Sequence, residues 1–501
     1  MAMTRQMSSV GATLANKPWP DEMEMIEPYV TGLLWFNKLP DQKATVEAFK
    51  KHLWHCHRFN SCIEGSKWVQ RQTEMDVDYH FEQVELKDEK AVEEYAIKTQ
   101  LTPLAEDHPR WKMFFLKTPA PNQCAVLAHL HHSLGDGLGL LFALSPLMGV
   151  EGGNPLSTVP LPSIVLPAYA RKQKAANPQT PKKKGGWCSC CCSVFGAIRN
   201  FVRGFLVMLL SGQDSELALN EPLTKRASRL KFSGQRVLTR LPKVSLDLVK
   251  KARENHQCTL NDIVMAGLTG AIRRYCEECK DDRINNPRVE CKSMVMLALP
   301  RDCPAEDPTV ALQNKMLFSS VRLPVSERTR AERVKKMMAA CDDLKSAAYM
   351  MGLTLFTKIT SYAPRAFVNK AAGETWSKHT FLVTNVPATS VPMTWPAEGG
   401  EVLQGVTLVI ANVMSQVSVL SYNGSLYASL VADPAVIQKA AAFGQLWQEE
   451  MEALADPSKN TEAAARSGDD SPSAALLRPG NVASTSGTVL PGYLKSESPR
   501  Q

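Results

Sequence analysis

The chain has 501 residues, of which 44% are hydrophobic and 22% are charged, so it is long enough for two or three domains and has the composition of a globular protein. Its formal net charge of +8 suits an anionic partner, such as a phosphate-bearing cofactor or a lipid surface, but no basic stripe interleaved with aromatic residues indicates a nucleic-acid-binding protein. Thirteen cysteines without a regular spacing, and the lack of a recognisable signal peptide, favour free thiols in a reducing compartment over a disulfide-stabilised secreted protein.

The first segment, residues 1–23, contains Arg5 and Lys17 among serines and threonines and has no acidic residue before Asp21. This composition fits either a weak organelle transit peptide or a disordered N-terminus, and we favour the disordered N-terminus. A first folded domain is predicted over 24–170. Its hydrophobic patterns predict a helix at 46–53, alternation at 77–84, strands at 111–116 and 124–130, and a buried helix at 138–148.

Within this domain, residues 131–137 read His-His-Ser-Leu-Gly-Asp-Gly, which is the pattern HHxxxDG. They lie where the last predicted strand meets the buried helix, a junction that can hold a side chain rigidly at a cavity. Histidine titrates near neutral pH, so the motif offers a candidate general base. The sequence contains no GxSxG, HExxH, Walker A or GxGxxG motif that would indicate a different chemical centre.

The three histidines of this region allow more than one interpretation. Alternation along the strand places His129 and His131 on one face and His132 on the other. A general base is the functional interpretation. A pair of structural histidines is one alternative, and a metal site formed by His129, His131 and Asp136 is another, although no further strong ligand lies nearby in the sequence.

Residues 171–230 are predicted to link two domains. Pro, Lys, Gln and Gly dominate their first part, which includes the basic run 182–184. A cysteine cluster follows, made of Cys188, Cys190, Cys191 and Cys192. Clustered cysteines beside basic residues form a candidate site of S-palmitoylation.

After the cysteine cluster, apolar residues recur at helical spacing and predict an amphipathic helix. One side carries Phe195, Ile198, Val202, Phe205, Leu206 and Leu209, and the other carries Gly196, Arg199, Asn200 and Arg203. The polar residues make this helix too interrupted to span a bilayer. It either lies in a membrane interface, with its arginines toward the lipid phosphates, or packs its apolar stripe against the protein, and we favour the membrane interface.

A second folded domain is predicted over 231–455. Helical patterns cover 246–254, 260–276 and 331–349, and strand-like runs cover 294–299, 316–323, 381–384, 406–412, 417–422 and 425–430. This mixture predicts an α/β or α+β layered domain. The tail, 456–501, is rich in Ser, Pro, Ala and Gly and is expected to be disordered.

Further motifs accompany HHxxxDG in a fixed order, the first upstream of it and the others downstream. They are His108-Pro109-Arg110-Trp111, Asn261-Asp262, Pro300-Arg301, Thr384-Asn385-Val386-Pro387-Ala388, and the pair 420–424 and 432–434. They resemble, in that order, the Pro-Leu-Trp, Asn-Asp, Pro-x-Ser/Asn-x-Arg, Ser-Asn-Val-Pro-Gly and C-terminal strand-pair motifs of the bifunctional wax ester synthase/diacylglycerol acyltransferase family, in the CoA-dependent acyltransferase superfamily. Three motifs differ from the family pattern. Arg110 replaces the Leu of Pro-Leu-Trp, only Arg301 matches in Pro-x-Ser/Asn-x-Arg, and Thr384 and Ala388 replace the Ser and Gly of Ser-Asn-Val-Pro-Gly. The resemblance covers roughly residues 24–452.

The resemblance implies a fold and a reaction. The fold is α/β (α+β), with two chloramphenicol-acetyltransferase-like domains and a tunnel between them that receives acyl-CoA from one side and the alcohol from the other. His132 is implied to be the general base that removes the alcohol proton during attack on the thioester, with direct transfer and no acyl-enzyme. Asn261 is implied to stabilise the oxyanion, whereas an N-cap is the structural alternative for it.

The resemblance also implies roles around the base. His131 shapes the loop, and Asp136 is a structural brace for which Arg301 is the candidate partner. Gly137 is expected to permit a backbone conformation closed to other residues. Trp111 and Asn385 are candidate substrate-binding residues, although an ordinary turn role before the proline is equally open for Asn385.

We therefore expect an acyl-CoA-dependent O-acyltransferase that makes wax ester or triacylglycerol from a long-chain alcohol or diacylglycerol. Acyl-CoA is expected as a co-substrate, with no bound cofactor, metal or nucleic acid. The expected location is a membrane, either the endoplasmic reticulum or a lipid droplet, facing the cytosol, and targeting to an organelle is a further alternative. The alternatives are an acyltransferase for another alcohol or amine, including a peptide-condensation domain, and a catalytically silent lipid-binding protein on the same fold.

Overall fold

The computed structural model describes residues 3–15, 27–150, 187–220, 222–223, 233–301, 307–360, 362–411 and 413–459, with backbone only for residues 9, 187–194 and 365. The first part of the predicted linker, 171–186, and the tail beyond residue 459 lie outside the described residues, as do residues 16–23 of the N-terminal segment.

The described chain alternates strands and helices throughout its length. The strands are β1 (Thr4–Gln6), β2 (Tyr29–Phe36), β3 (Cys62–Glu64), β4 (Lys67–Val69), β5 (Phe81–Glu85), β6 (Trp111–Lys117), β7 (Cys124–His131), β8 (Gly149–Val150), β9 (Val237–Ser245), β10 (Lys292–Ala298), β11 (Met316–Arg322), β12 (Phe381–Pro387), β13 (Met393–Trp395), β14 (Glu401–Leu408), β15 (Ser415–Tyr422) and β16 (Ser425–Ala432). The α-helices are α1 (Ser9–Ala15), α2 (Gln42–His52), α3 (Val77–His80), α4 (Glu89–Gln100), α5 (Gly137–Leu144), α6 (Trp187–Leu210), α7 (Leu246–His256), α8 (Leu260–Glu278), α9 (Arg330–Asp342), α10 (Ala347–Thr360), α11 (Arg365–Ser377) and α12 (Ala440–Leu454).

The first half of the chain is built on a seven-stranded sheet with the order β5-β6-β7-β2-β14-β13-β8. Its third strand, β7, is an interior strand that is buried along its whole length, which explains why its sequence is nearly all apolar. Two of its strands, β13 and β14, come from the second half of the chain, and β14 pairs directly with β2. The two halves are therefore joined by backbone hydrogen bonds as well as by packing.

The second half is built on a six-stranded sheet with the order β11-β10-β12-β15-β16-β9. The long helix α8 packs on it and is buried over most of its length. Its N-terminus carries a reciprocal capping box, in which Thr259 and Asp262 each bind the backbone N–H of the other. The architecture of two mixed α/β halves, each with its own core, confirms the predicted fold class.

The N-terminal segment differs from its expected disorder over residues 3–15. Strand β1 pairs with β4 in a three-stranded sheet, and α1 follows it. The side chain of Met7 is buried in the core of the first half. A short strand of polar residues carries almost no periodic signal, so composition alone suggested disorder.

The amphipathic helix is present as α6, and much of its apolar stripe is exposed, contrary to the alternative in which that stripe packs against the protein. Its small and polar residues contact the protein: Gly204 packs on the backbone of Tyr349, and Asn200 donates to the hydroxyl of Ser346 at 3.2 Å. Arg203 forms an ion pair with Asp343. No helix among the described residues is long and apolar enough to cross a bilayer.

Candidate active site

The HHxxxDG loop lies at the junction between β7, which ends at His131, and α5, which begins at Gly137. Asp136 is the N-cap of α5, and its carboxylate accepts from the backbone N–H of Gly139 at 2.9 Å. The loop borders a cavity of about 170 Å³ between the two sheets. Strands of both halves line this cavity, so it forms only when the halves are together.

The cavity wall is almost entirely apolar. His132, Asp136, Thr384 and Asn385 are its polar side chains. The others are aliphatic residues, methionines, alanines and glycines of both halves of the chain. Such a wall suits the hydrocarbon part of a ligand, while the few polar groups orient its reactive end.

His132 contributes a ring whose protonation pattern is determined by its neighbour Asn314. The amide nitrogen of Asn314 donates to the carbonyl of Ser133 at 3.2 Å, so its oxygen faces Nδ1 of His132, 3.3 Å away. Nδ1 must then carry the proton in the neutral ring, which leaves the lone pair on Nε2. Burial lowers the pKa of His132, and the nearby Asp136 carboxylate offsets part of that shift. The arrangement provides a neutral imidazole that can accept a proton at Nε2.

His131 and His129 face away from the cavity. His131 is fully buried, and its Nδ1 accepts from both the backbone N–H and the hydroxyl of Ser133, at 3.2 and 2.7 Å. His129 lies beside Thr31, 2.7 Å from its hydroxyl, and burial lowers the pKa of His129 to about 3. Neither ring lines the cavity, and the contacts of His131 lie within the HHxxxDG loop.

Asp136 is a brace between the two halves of the chain. Arg301 forms a bidentate ion pair with it, at 2.6 and 2.8 Å, and both side chains are buried. The backbone N–H of Lys315 donates to the same carboxylate at 2.8 Å. Arg301 also contacts the carbonyls of Ala311, Gln313 and Lys315, so one guanidinium holds both the HHxxxDG loop and the segment that carries Asn314. The predicted partnership of Asp136 and Arg301 is confirmed.

Gly137 does not have the positive φ that the sequence analysis expected. It is the first residue of α5 and lines the cavity, where an added Cβ would meet only Val386, at 3.8 Å. The glycine that has no room for a side chain is Gly139, since a Cβ there would lie 2.8 Å from Nη1 of Arg301 and 2.9 Å from the carbonyl oxygen of Ala311. The brace therefore requires a glycine two residues further along the helix.

Asn385 lies in the cavity wall, and the exposed Asn261 contacts it from outside that wall. Asn385 donates through Nδ2 to Oδ1 of Asn261 at 3.3 Å. The N-cap of α8 is Thr259, so the structural alternative for Asn261 is wrong. The amide group of Asn261 still has its own Nδ2 as a donor.

Trp111 is not a substrate-binding residue, contrary to the expectation. It begins β6 and is fully buried in the core of the first half. Its ring stacks on Phe49 and His80, and its indole N–H donates to the carbonyl of Phe59 at 2.9 Å. Its large apolar ring and satisfied donor make it a packing residue.

Two further residues, Asn314 and Arg58, hold the loop and were not predicted from the sequence. Asn314 lies 182 residues from His132, and Arg58 donates to the carbonyls of Ser133 and Leu134 at 3.1 and 2.9 Å. No local pattern marks either residue, because each contacts a partner distant in sequence. For the candidate lipidation residues Cys188, Cys190, Cys191 and Cys192, only the helical backbone is described.

Among the described residues, no group of three His, Cys, Asp or Glu side chains is placed to hold a metal ion. His129, His131 and Asp136, the residues of the alternative metal site, have the separate partners Thr31, Ser133 and Arg301.

Two paired α/β halves with an HHxxxDG loop at the cavity between them form the two-domain, chloramphenicol-acetyltransferase-like fold that the resemblance implied. A family model described as the wax ester synthase/diacylglycerol acyltransferase catalytic domain matches residues 37–264, and the C-terminal domain model of the same family matches residues 312–455. The chain belongs to the wax ester synthase/diacylglycerol acyltransferase family.

Individual relatives agree with this assignment. The chain is similar to wax ester synthase/diacylglycerol acyltransferase 10 of Arabidopsis thaliana, with 21% identity over 410 residues that cover 75% of this chain and 80% of that protein. The solved wax ester synthase/diacylglycerol acyltransferase of Marinobacter aquaeolei VT8 matches with a TM-score of 0.54 and 16% identity, covering 85% of this chain and 94% of that one. The starter condensation domain of rhizomide synthetase, solved with C8-CoA, matches with a TM-score of 0.53 and 11% identity, covering 91% and 96%. These structures show that the fold is shared.

Proposed function

We propose that the chain is an acyl-CoA-dependent O-acyltransferase that esterifies a long-chain alcohol, diacylglycerol or both, with His132 as general base. The observation that carries the proposal is the position of His132 in the wall of an apolar cavity, with Asn314 directing the lone pair to Nε2. Burial favours the neutral form of the His132 ring, and the neutral form is the one that can act as a base.

The reaction balances without a covalent enzyme intermediate. Nε2 of His132 removes the hydroxyl proton as the alcohol oxygen attacks the thioester carbonyl. The tetrahedral intermediate collapses, the carbon–sulfur bond breaks, and the CoA thiolate takes the proton from the imidazolium. The products are an ester and CoA. Nδ2 of Asn261, next to Asn385 of the cavity wall, is the proposed donor to the oxyanion.

The substrate class follows from the cavity wall and from relatives. The wall is almost entirely apolar, which favours an acyl or alcohol chain over a small polar acceptor. The relative from Arabidopsis is named for wax ester and triacylglycerol synthesis, and the related condensation domain was solved with an acyl-CoA. Because such acceptors dissolve in lipid, we propose that the enzyme works at the cytosolic surface of a membrane, the endoplasmic reticulum or a lipid droplet.

Labelled acyl-CoA, supplied with a fatty alcohol or with diacylglycerol in detergent micelles, tests the proposal. The parent should form labelled ester with at least one acceptor, and His132→Ala should lose about 100-fold or more of that rate. His256→Ala, on a partly exposed histidine at the end of α7, is the matched control and should keep the parental rate. Equal rates for His132→Ala and the parent would contradict the mechanism. A parent that binds acyl-CoA but esterifies neither acceptor would instead support a silent lipid-binding protein.

A further inference from the structure

Helices α6 and α10 form a parallel pair with closely packed backbones. Gly352 of α10 lies against the backbone of Phe201, and Gly204 of α6 lies against the backbone of Tyr349. Asn200 contacts Ser346 just before α10, and Phe205 contacts the ring of Phe356 further along, so the two helices run in the same direction. Close packing at glycines leaves little room for either helix to rotate.

Both helices turn the same side toward the six-stranded sheet. Met208 of α6 and Leu353 of α10 are buried in one core cluster with Met294, Leu317 and Leu382 of β10, β11 and β12. The sides of the two helices opposite this cluster therefore point away from the protein together.

Those outward sides are apolar. We call them the ridge pair: Phe195, Ile198, Val202 and Leu209 on α6, and Met351, Leu355 and Ile359 on α10. Their exposed fractions run from 40% for Leu355 to 74% for Phe195. Scattered exposed apolar residues are ordinary on a protein surface, but rows of them on two neighbouring helices mark an interaction surface. The exposed rings of Tyr362 and Phe367 follow α10 directly.

The charged side chains of α6 and α10 themselves are all basic. Neither helix contains an acidic residue, Arg199 and Lys358 are exposed on them, and Arg203 pairs with Asp343, which lies before α10. Apolar side chains flanked by cations match a lipid surface, whose acyl region is apolar and whose phosphates are anionic. A symmetric contact with a second copy would instead bring the same cations together.

We propose that the ridge pair is the membrane-docking surface of this protein, and that it inserts into an anionic phospholipid surface without spanning it. Asn200, Arg203 and Gly204 anchor α6 to the protein, and the apolar side enters the lipid. The surface is thus a rigid platform of two helices rather than one helix that folds on contact with lipid. This inference depends on the exposed faces alone and stands apart from the proposed reaction.

Flotation of the full chain with vesicles tests the platform. The parent should float with an equal mixture of phosphatidylcholine and phosphatidylglycerol, and less with phosphatidylcholine alone or at high salt. Ile198→Gln/Val202→Gln on α6 and Met351→Gln/Leu355→Gln on α10 should each weaken binding by at least about tenfold, because each removes apolar area that would be buried in lipid. Leu223→Gln/Val402→Gln replaces exposed apolar residues outside the ridge pair and should bind as the parent does.

The outcomes separate the possible occupants of the surface. Thermal unfolding by circular dichroism verifies that each variant folds, and the two ridge variants lie on different helices, so either one decides the question. A parent that binds neither type of vesicle, or ridge variants that bind as tightly as the parent, would overturn the proposal. Ridge variants that change from dimer to monomer in light scattering, with vesicle binding unchanged, would assign the surface to a second copy of the chain.

Discussion

Replacing Asn314 by leucine removes the contact that directs the protonation of His132. The side chain bridges Nδ1 of His132 at 3.3 Å and the carbonyl of Ser133 at 3.2 Å. A neutral hydrogen bond contributes about 0.5–1.5 kcal/mol, so losing the bond to the base should lower kcat by about threefold to tenfold. The carbonyl of Ser133 keeps its contact with Arg58, so the free energy of unfolding should fall by only about 1 kcal/mol.

An aspartate at the same position separates a positioning role from a structural one. A carboxylate facing Nδ1 stabilises the imidazolium, so Asn314→Asp should raise the pKa of His132 and move the acid limb of the pH–rate profile to higher pH. The assay is kcat for ester formation from labelled acyl-CoA, measured as a function of pH for parent and variants. Gln313→Leu is the matched control, since its partly exposed side chain donates to Val310 within the same loop.

Two results would refute this reasoning. A leucine variant with the parental kcat would show that Asn314 does not control the base. An aspartate variant whose acid limb stays in place would show that the carboxylate does not reach the titrating group, whatever the change in rate.

Three more predictions follow from the geometry of the loop. The parent should keep its rate above the lowered pKa of His132 and lose it as the pH falls through that value, so an acid limb at or above the usual histidine pKa of about 6.5 would contradict the assignment. Gly139→Ala should lower the free energy of unfolding, measured by urea denaturation, by about 1–3 kcal/mol. Gly137→Ala has room for a methyl group and should change it little, so equal losses for the two variants would contradict the close contact at Gly139. Arg301→Met leaves a buried carboxylate without its cation and should cost about 3–5 kcal/mol, against at most about 1 kcal/mol for Arg322→Met in an exposed ion pair, and a small loss for both would refute the brace.

Local patterns predicted the elements around the site well. The apolar run before His131 and the apolar run after Gly137 predict a strand and a helix from neighbours in the sequence, and the structure has a strand and a helix there. The predicted helix at 331–349 is instead α9, a 3-10 turn at Asp343–Lys345, and α10. The break places Asp343 beside Arg203 of α6, a contact that the periodicity of one segment cannot reveal.

What the sequence could not predict depends on partners far along the chain. Asn314 has no local signature, and its role exists only because Arg301 holds its loop against Asp136. Trp111 illustrates the opposite error, since its place in a family motif suggested substrate contact, whereas its neighbours Phe49 and His80 enclose it in the core. A motif identifies a residue type at a position, but burial decides whether that residue can touch a ligand.

The pairing of β14 with β2 affects how this protein is made. During synthesis, β2, β6 and β7 leave the ribosome long before residues 401–408, so β2 has one unpaired edge until its last neighbour exists. An open edge is a template for pairing with other chains. The second half of the chain thus acts as a late internal partner that completes the first sheet. Expressing the first half alone should therefore give an aggregating product, and supplying the second half as a separate chain should restore its solubility.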